Sequence, residues 1–338
     1  MKYIPAIDGL RAIAILIVLA SHFVSEKIPG GFGVTLFFFI SGYLITRLLL
    51  AEHAASGSIA VLSFYVRRFR RLAPALIAMV LIVTACYWLL GWKTSGAEVS
   101  AALLYYMNYY SIVGGDTPLP FGPLWSLAIE EHYYLLYPVL LLFGLQSKRA
   151  LLIALIASCI AVLCWRVALT ISGASDWRIY VGTDTRIDSI IFGAILAVAI
   201  DRYGAPPVKF LWAVLAGSIA LILASFLIRS PIFRDTLRYT IQGLALAPIL
   251  YIAMIEPRAA EARRLLLERP IMVWTGKISY SLYLWHFPIL VMLKQSSLGP
   301  QVAVAVALPL SFLTAAASYY LVEMPIRTRH LRPEASPQ

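Results

Sequence analysis

The sequence predicts an all-α fold, a polytopic transmembrane helical bundle of about ten spans with both termini cytoplasmic. Three observations predict it. Of 338 residues, 61% are hydrophobic and only 13% are charged, about half the charge of an ordinary soluble chain. Mean hydropathy is +0.81, and apolar runs of about 20 residues, long enough to cross a hydrocarbon core, recur along the chain. Lysine and arginine collect between alternate runs, as the positive-inside rule requires. The net charge of +11 is therefore a matter of lipid orientation first and anionic ligands second, with no nucleic-acid partner. Cys86, Cys159 and Cys164 lie in apolar segments without metal-site spacing and read as packing residues, so no metal is expected.

Hydropathy places the spans near 10–26, 33–51, 74–92, 126–145, 149–171, 186–202, 209–228, 237–255, 278–294 and 301–322. The first faintly resembles a signal peptide behind Lys2, but the apolar pattern continues, so it is kept as a span. An eleventh apolar piece, 98–113, is short, tyrosine-rich and interrupted by Asn108. Arg67, Arg68, Arg70 and Arg71 mark the loop after span two as cytoplasmic. Lys148 and Arg149, the cluster Arg258, Arg263, Arg264 and Arg269, and the end carrying Arg327, Arg329 and Arg332 fall on the same side only if 98–113 does not cross. The resulting bias of lysine and arginine is about two to one toward the inside. Residues 98–113 then lie at the outer face, where tyrosine suits the interface.

This topology assigns depths. Span one runs outward, with Arg11 near the cytoplasm and His22 toward the outer leaflet. Their separation of eleven residues places them about 20° apart around the helix and roughly 16 Å apart along it. Ionisable groups inside a span are costly and face a protein interior or a wet cavity, so this shared stripe reads as the wall of a polar chamber. Span four runs inward, which puts Glu130, Glu131 and His132 near the outer surface at a depth similar to His22. Arg186 and Asp188 open span six, His286 falls near the middle of span nine, and Glu323 ends span ten.

Taken in order, these residues form a pattern. Arg11 and His22 are followed by Phe37-Phe38-Phe39-Ile40-Ser41-Gly42-Tyr43-Leu44-Ile45, then Arg67-Arg68-Phe69-Arg70-Arg71-Leu72-Ala73-Pro74. Trp125-Ser126-Leu127-Ala128-Ile129-Glu130-Glu131-His132-Tyr133-Tyr134 comes next, with Pro138 after it, and then Arg186-Ile187-Asp188 with Gly193. The run Gly276-Lys277-Ile278-Ser279-Tyr280-Ser281-Leu282-Tyr283-Leu284-Trp285-His286 and residues 319–325 with Glu323 complete it. In this set the chain resembles the acyltransferase 3 family of bacterial integral-membrane O-acyltransferases, over nearly its whole length. Any one motif is weak, whereas the ordered set is specific. A departure is His132, where glutamine commonly follows the paired glutamates.

The resemblance covers a single membrane domain over 1–332, and 333–338 read as a loose tail; some relatives carry a C-terminal esterase-like domain, none is expected here, and any such step would need a separate protein. It implies transfer of an acyl group, acetyl by default, from cytoplasmic acyl-coenzyme A to a hydroxyl of a glycan or other acceptor at the bacterial inner membrane. Acetyl-coenzyme A is then a co-substrate, and no cofactor is permanently bound. Attack of an alcohol on a thioester needs a base near the hydroxyl, and histidine titrates in the right range. His22 is expected to be that base, with Glu130 or Glu131 orienting its ring; the bland alternative for each is a satisfied polar contact or an interfacial pair.

The arginine run orients the protein through anionic lipid, and it offers guanidinium forks for coenzyme A phosphates. Arg68 and Arg70 are expected to contact the donor, with Arg67 and Arg71 facing lipid. Arg11 is expected to contact the donor or hold Asp8, and Ser41 to line the donor tunnel or, with Gly42, pack between helices. Asp188 with Arg186 reads as an ion pair or an acceptor contact, and His286 and Glu323 as structural polar groups or site residues. The competing classes are a transporter using the same buried charges and a noncatalytic partner in polysaccharide assembly.

Overall fold

The computed structural model describes residues 3–114, 120–205 and 207–328. Lys2, Arg329, Arg332 and the expected tail at 333–338 lie outside them. Every regular element among the described residues is helical. Ten longer helices carry the fold: α1 (Pro5–Phe23), α2 (Gly30–Ser56), α3 (Val61–Leu89), α4 (Leu124–Gly144), α5 (Lys148–Ile171), α6 (Asp188–Tyr203), α7 (Leu211–Leu227), α8 (Leu237–Met254), α9 (Pro270–Gln295) and α10 (Pro300–Ser318). Each falls on one expected span.

Among the described residues, six helical stretches are long and apolar enough to cross a membrane: α1, α2, α3, α5, α8 and α10 with its continuation to Arg327. The other four fall short for visible reasons. Helices α6 and α7 have 16 and 17 residues, while α4 carries Glu130, Glu131 and His132, and α9 carries Lys277, His286 and Lys294. Polar residues that lower a segment's hydropathy are also those a membrane protein uses.

The 98–113 piece forms two short helices, Gly96–Leu103 and Met107–Val113, of eight and seven residues. At about 1.5 Å per residue, each spans about a third of a bilayer core. They break at Tyr105, whose φ of 57° lies in the left-handed region. Ser95 and Glu98 form a capping box at 3.0 and 2.8 Å. Buried Asn108 donates to Val181 O at 3.3 Å and Thr183 Oγ1 at 2.9 Å, tying the piece to the connection between α5 and α6.

Helix α3 begins at Val61, thirteen residues before the expected span start at Pro74. Arg67, Arg68, Arg70 and Arg71 are therefore helical and not in a loop. Four arginines depress hydropathy without being poor helix formers, which is why an apolar scan starts the span too late.

Helix α2 runs through the centre, packed on α1 and α6. A Cβ on Gly42 would collide with the carbonyl oxygen of Ile190, and one on Gly193 with that of Phe39, so the two backbones meet with nothing between them. Gly42→Val is expected to lower stability by about 2 kcal/mol or more, read as a lower melting temperature of detergent-purified protein. An unchanged melting temperature would refute the close approach.

Asp188 is fully buried, and its partner is Arg166 of α5, at 2.7 Å. Arg186, with which it was expected to pair, instead donates to Thr35 Oγ1 at 3.0 Å and stacks 3.7 Å over the Tyr239 ring. The reason lies in the helices: Arg166 reaches Asp188 from a neighbouring span and also donates to Thr185 O and Thr236 O. An arginine inside an apolar run needs such a partner.

Candidate functional site

Two cavities meet in the middle of the bundle. The first is lined by Arg11 of α1, Ser41 of α2, Arg68 and Arg71 of α3, Glu130 and Tyr134 of α4, and Ser279, Tyr280 and Tyr283 of α9. It encloses about 860 Å³, open space at its mouth included. Arg68 donates through Nε and Nη2 to Glu131 Oε1 at 3.0 and 2.8 Å, with Glu130 Oε2 at 4.0 Å. Its guanidinium also lies 3.2 Å from the centroid of the Tyr134 ring, and the Tyr134 hydroxyl is hydrogen-bonded to Ser41. Arg11 pairs with Asp8 at 3.6 Å.

Two expectations change here, and a choice left open is resolved. Glu130 and Glu131 sit with the arginines, not beside His22, because two carboxylates buried in a bundle take the nearest guanidinium. Arg71, rather than Arg70, accompanies Arg68 at the cavity: residues three apart share a helix face, while those two apart point about 160° from each other. Arg70 is exposed on α3 and is not among the lining residues. Ser41 and Gly42 divide the two roles weighed for them, Ser41 lining the cavity and Gly42 packing on α6.

A basin of about 950 Å³, open space at its mouth included, adjoins on the side of the chain termini. It shares Arg11, Leu44, Arg71 and Tyr280 with the first cavity and adds Asp8, Lys277, Glu323 and Arg327. Glu323 is buried and accepts a hydrogen bond from Ser281. Four cations thus face two carboxylates around one opening, a setting suited to a polyanion.

His22 lies at the opposite end of the α1 stripe, in a second cavity of about 1360 Å³ including its mouth. Glu26, Ser111, Trp125, Trp177, Tyr180, Tyr283 and Phe287 line it with His22. Val34 and Tyr283 belong to both cavities and form the wall between them. The Tyr283 hydroxyl donates to Pro123 O at 2.7 Å and lies 2.7 Å from Ser126 Oγ, fixing that wall to the start of α4.

The partner of His22 is neither glutamate. Its Nδ1 is 3.0 Å from Nε2 of His286, with the rings stacked at 5.1 Å and 8°. His286 is fully buried, and its Nδ1 lies 2.8 Å from Tyr283 O and 3.1 Å from Leu282 O. Carbonyl oxygens only accept, so His286 Nδ1 carries a proton. In the neutral imidazole, Nε2 then holds a lone pair and accepts from His22 Nδ1–H. In the neutral His22 ring, Nε2 is then the unprotonated nitrogen. The sequence places both histidines inside spans, but nothing in it joins two positions 264 residues apart. Arg71, Tyr134 and Tyr283 were also missed as lining residues, though helical phase from Arg68 identifies Arg71.

These features define a polytopic helical membrane protein with a basic chamber on one side and an oriented histidine on the other. The sequence model of the family described as acyltransferase domain matches residues 4–323, and the chain belongs to that acyltransferase 3 family. A Staphylococcus aureus (strain COL) protein provisionally named as an O-acetyltransferase is 34% identical over 98% of this chain and 58% of its own length. The peptidoglycan O-acetyltransferase OatA of Listeria monocytogenes is 32% identical over 96% of this chain and 56% of its own. The O-acetyltransferase OatA of Staphylococcus aureus (strain NCTC 8325 / PS 47) is 32% identical over 97% and 58%. The chain thus spans under two thirds of the length of these relatives. No solved structure matches it.

Proposed function

We propose that the protein is an O-acetyltransferase of the bacterial inner membrane, with ten spans and both termini cytoplasmic. It moves an acetyl group from acetyl-coenzyme A to a hydroxyl of a cell-envelope glycan. The observation that carries this reading is the His22–His286 pair, with His22 lining the second cavity and His286 5.6 Å from the ring of Tyr283, which forms the wall between the two. The basic chamber and basin, with Arg11, Arg71, Lys277 and Arg327, suit the donor's phosphates. The aromatic cavity around His22 suits a sugar, whose apolar ring faces pack on aromatic rings while its hydroxyls take polar partners. Glycan acceptors are also supported by the relative named a peptidoglycan O-acetyltransferase.

His22 Nε2 takes the proton of the acceptor hydroxyl as its oxygen bonds to the thioester carbonyl carbon. The carbon–sulfur bond then breaks as the carbonyl re-forms, and the departing coenzyme A thiolate takes that proton from His22. His286 keeps the His22 ring in the tautomer that has its base facing the cavity. Glu130 and Glu131 hold Arg68, and through it the chamber, rather than acting on the ring.

His286→Phe is expected to lower kcat about 100-fold, the lower range for losing correct proton transfer, with little change in KM for acetyl-coenzyme A. A matching rise in KM would make His286 a donor contact instead. Incubating purified protein with radiolabelled acetyl-coenzyme A and de-O-acetylated peptidoglycan strands tests the function itself. Label in a base-labile ester is expected; passage of label across vesicles without a new ester contradicts it.

A further inference from the structure

Beside the His22 cavity lies a second cleft of about 930 Å³ including its mouth. The two share Glu26, Ile28, Gly30, Gly31, Trp177 and Tyr180, so they adjoin. Aromatic rings run through the junction: Trp125 and Tyr180 have centroids 4.9 Å apart, and Tyr180 and Trp177 5.7 Å apart. Trp177 is 44% exposed, which leaves much of its indole free to pack on a ligand.

Beyond Trp177 the cleft is lined by Asp176, Arg234, Asp235 and Arg238. Among the described residues none of these four forms an ion pair within 4.0 Å. Arg238 Nε is buried without a hydrogen-bond partner, and a buried donor in that state is costly. An interfacial belt would explain Trp177 alone. It does not explain why Arg238, whose Nε is buried without a partner, lines a cleft beside the His22 cavity together with Arg234, Asp176 and Asp235.

We infer that this cleft is a subsite for a sugar residue of the acceptor one or more units away from the acetylated one, with Trp177 stacking on its ring and Arg238 donating to its oxygens. The carboxylates of Asp176 and Asp235 accept from sugar hydroxyls. The inference rests on the glycan reading above and adds to it a preference for chains over single units.

Its test uses the full chain in detergent with de-O-acetylated peptidoglycan strands cut to two, four and six sugars. Wild-type kcat/KM is expected to rise with length. Arg238→Gln is expected to cost at least tenfold more on six sugars than on two, with the loss in KM, and Trp177→Ala to flatten the length dependence further. Equal losses at every length, or none, would overturn the subsite while leaving the glycan reading intact. Absence of transfer by wild type at every length would count against the glycan reading itself, and the subsite would fall with it.

Discussion

His22→Ala is expected to abolish acetyl transfer, lowering kcat by about a thousandfold or more, within the range for loss of a positioned base. On the function proposed above, His22 Nε2 takes the proton of the acceptor hydroxyl, while His22 Nδ1 lies 3.0 Å from His286 Nε2. His22 is only partly buried and lines a large cavity, so its truncation should leave the fold standing. Membrane level and melting temperature are therefore expected to stay near wild type while activity disappears. Near-normal turnover in a well-folded His22→Ala protein would remove this residue from the mechanism.

Arg68→Ala is the second large effect, and it acts on stability as well as activity. Arg68 neutralises Glu131 at 2.8 Å with Glu130 4.0 Å away, and the three side chains are only 12%, 20% and 17% exposed. Removing the cation leaves two carboxylates facing each other in a bundle interior, at a cost of about 3–5 kcal/mol. Pairing Arg68→Met with Glu131→Gln removes both charges and is expected to recover much of the stability, because an absent ion pair is cheaper than half of one. Donor binding should not recover with it: KM for acetyl-coenzyme A is expected to stay high in the double variant. Recovery of both would reduce Arg68 to a structural role. Arg70→Ala, on the exposed face of α3, is expected to shift stability by no more than about 0.5 kcal/mol and to leave the donor KM unchanged.

Much of this architecture is legible in the sequence because hydropathy reads length and polarity directly. All ten expected spans fall on helices, and the 98–113 piece breaks into two short helices near its tyrosines and Asn108. Arg11, Ser41, Arg68 and Glu130 are expected site residues that line one cavity together. What the sequence does not carry is partnership across helices. A depth assignment placed Glu130 and Glu131 with His22, yet the paired charges sit together because an uncompensated carboxylate in a bundle is more costly than a shifted helix register. Arg186 was the near neighbour of Asp188 along the chain, but the geometry favours Arg166 from the adjacent helix. The sequence suggests Arg70 for the donor and Arg71 for lipid, whereas the helix reaching back to Val61 puts Arg71, and not Arg70, among the residues that line the cavity with Arg68.

The histidine pair shows the same limit most clearly. Each residue alone is an unremarkable polar group in a span, and its meaning comes only from contact. His286 is locked by two carbonyls of its own helix, and that local bond fixes the proton on a ring belonging to another.

The most direct test places donor and acceptor in different compartments. Protein reconstituted into vesicles, in the orientation with its termini outward, would receive radiolabelled acetyl-coenzyme A outside and peptidoglycan strands sealed within. Labelled ester on the enclosed strands, lost in His22→Ala, is the predicted result. Ester formed only when both substrates share one compartment would contradict transfer across the wall between the two cavities.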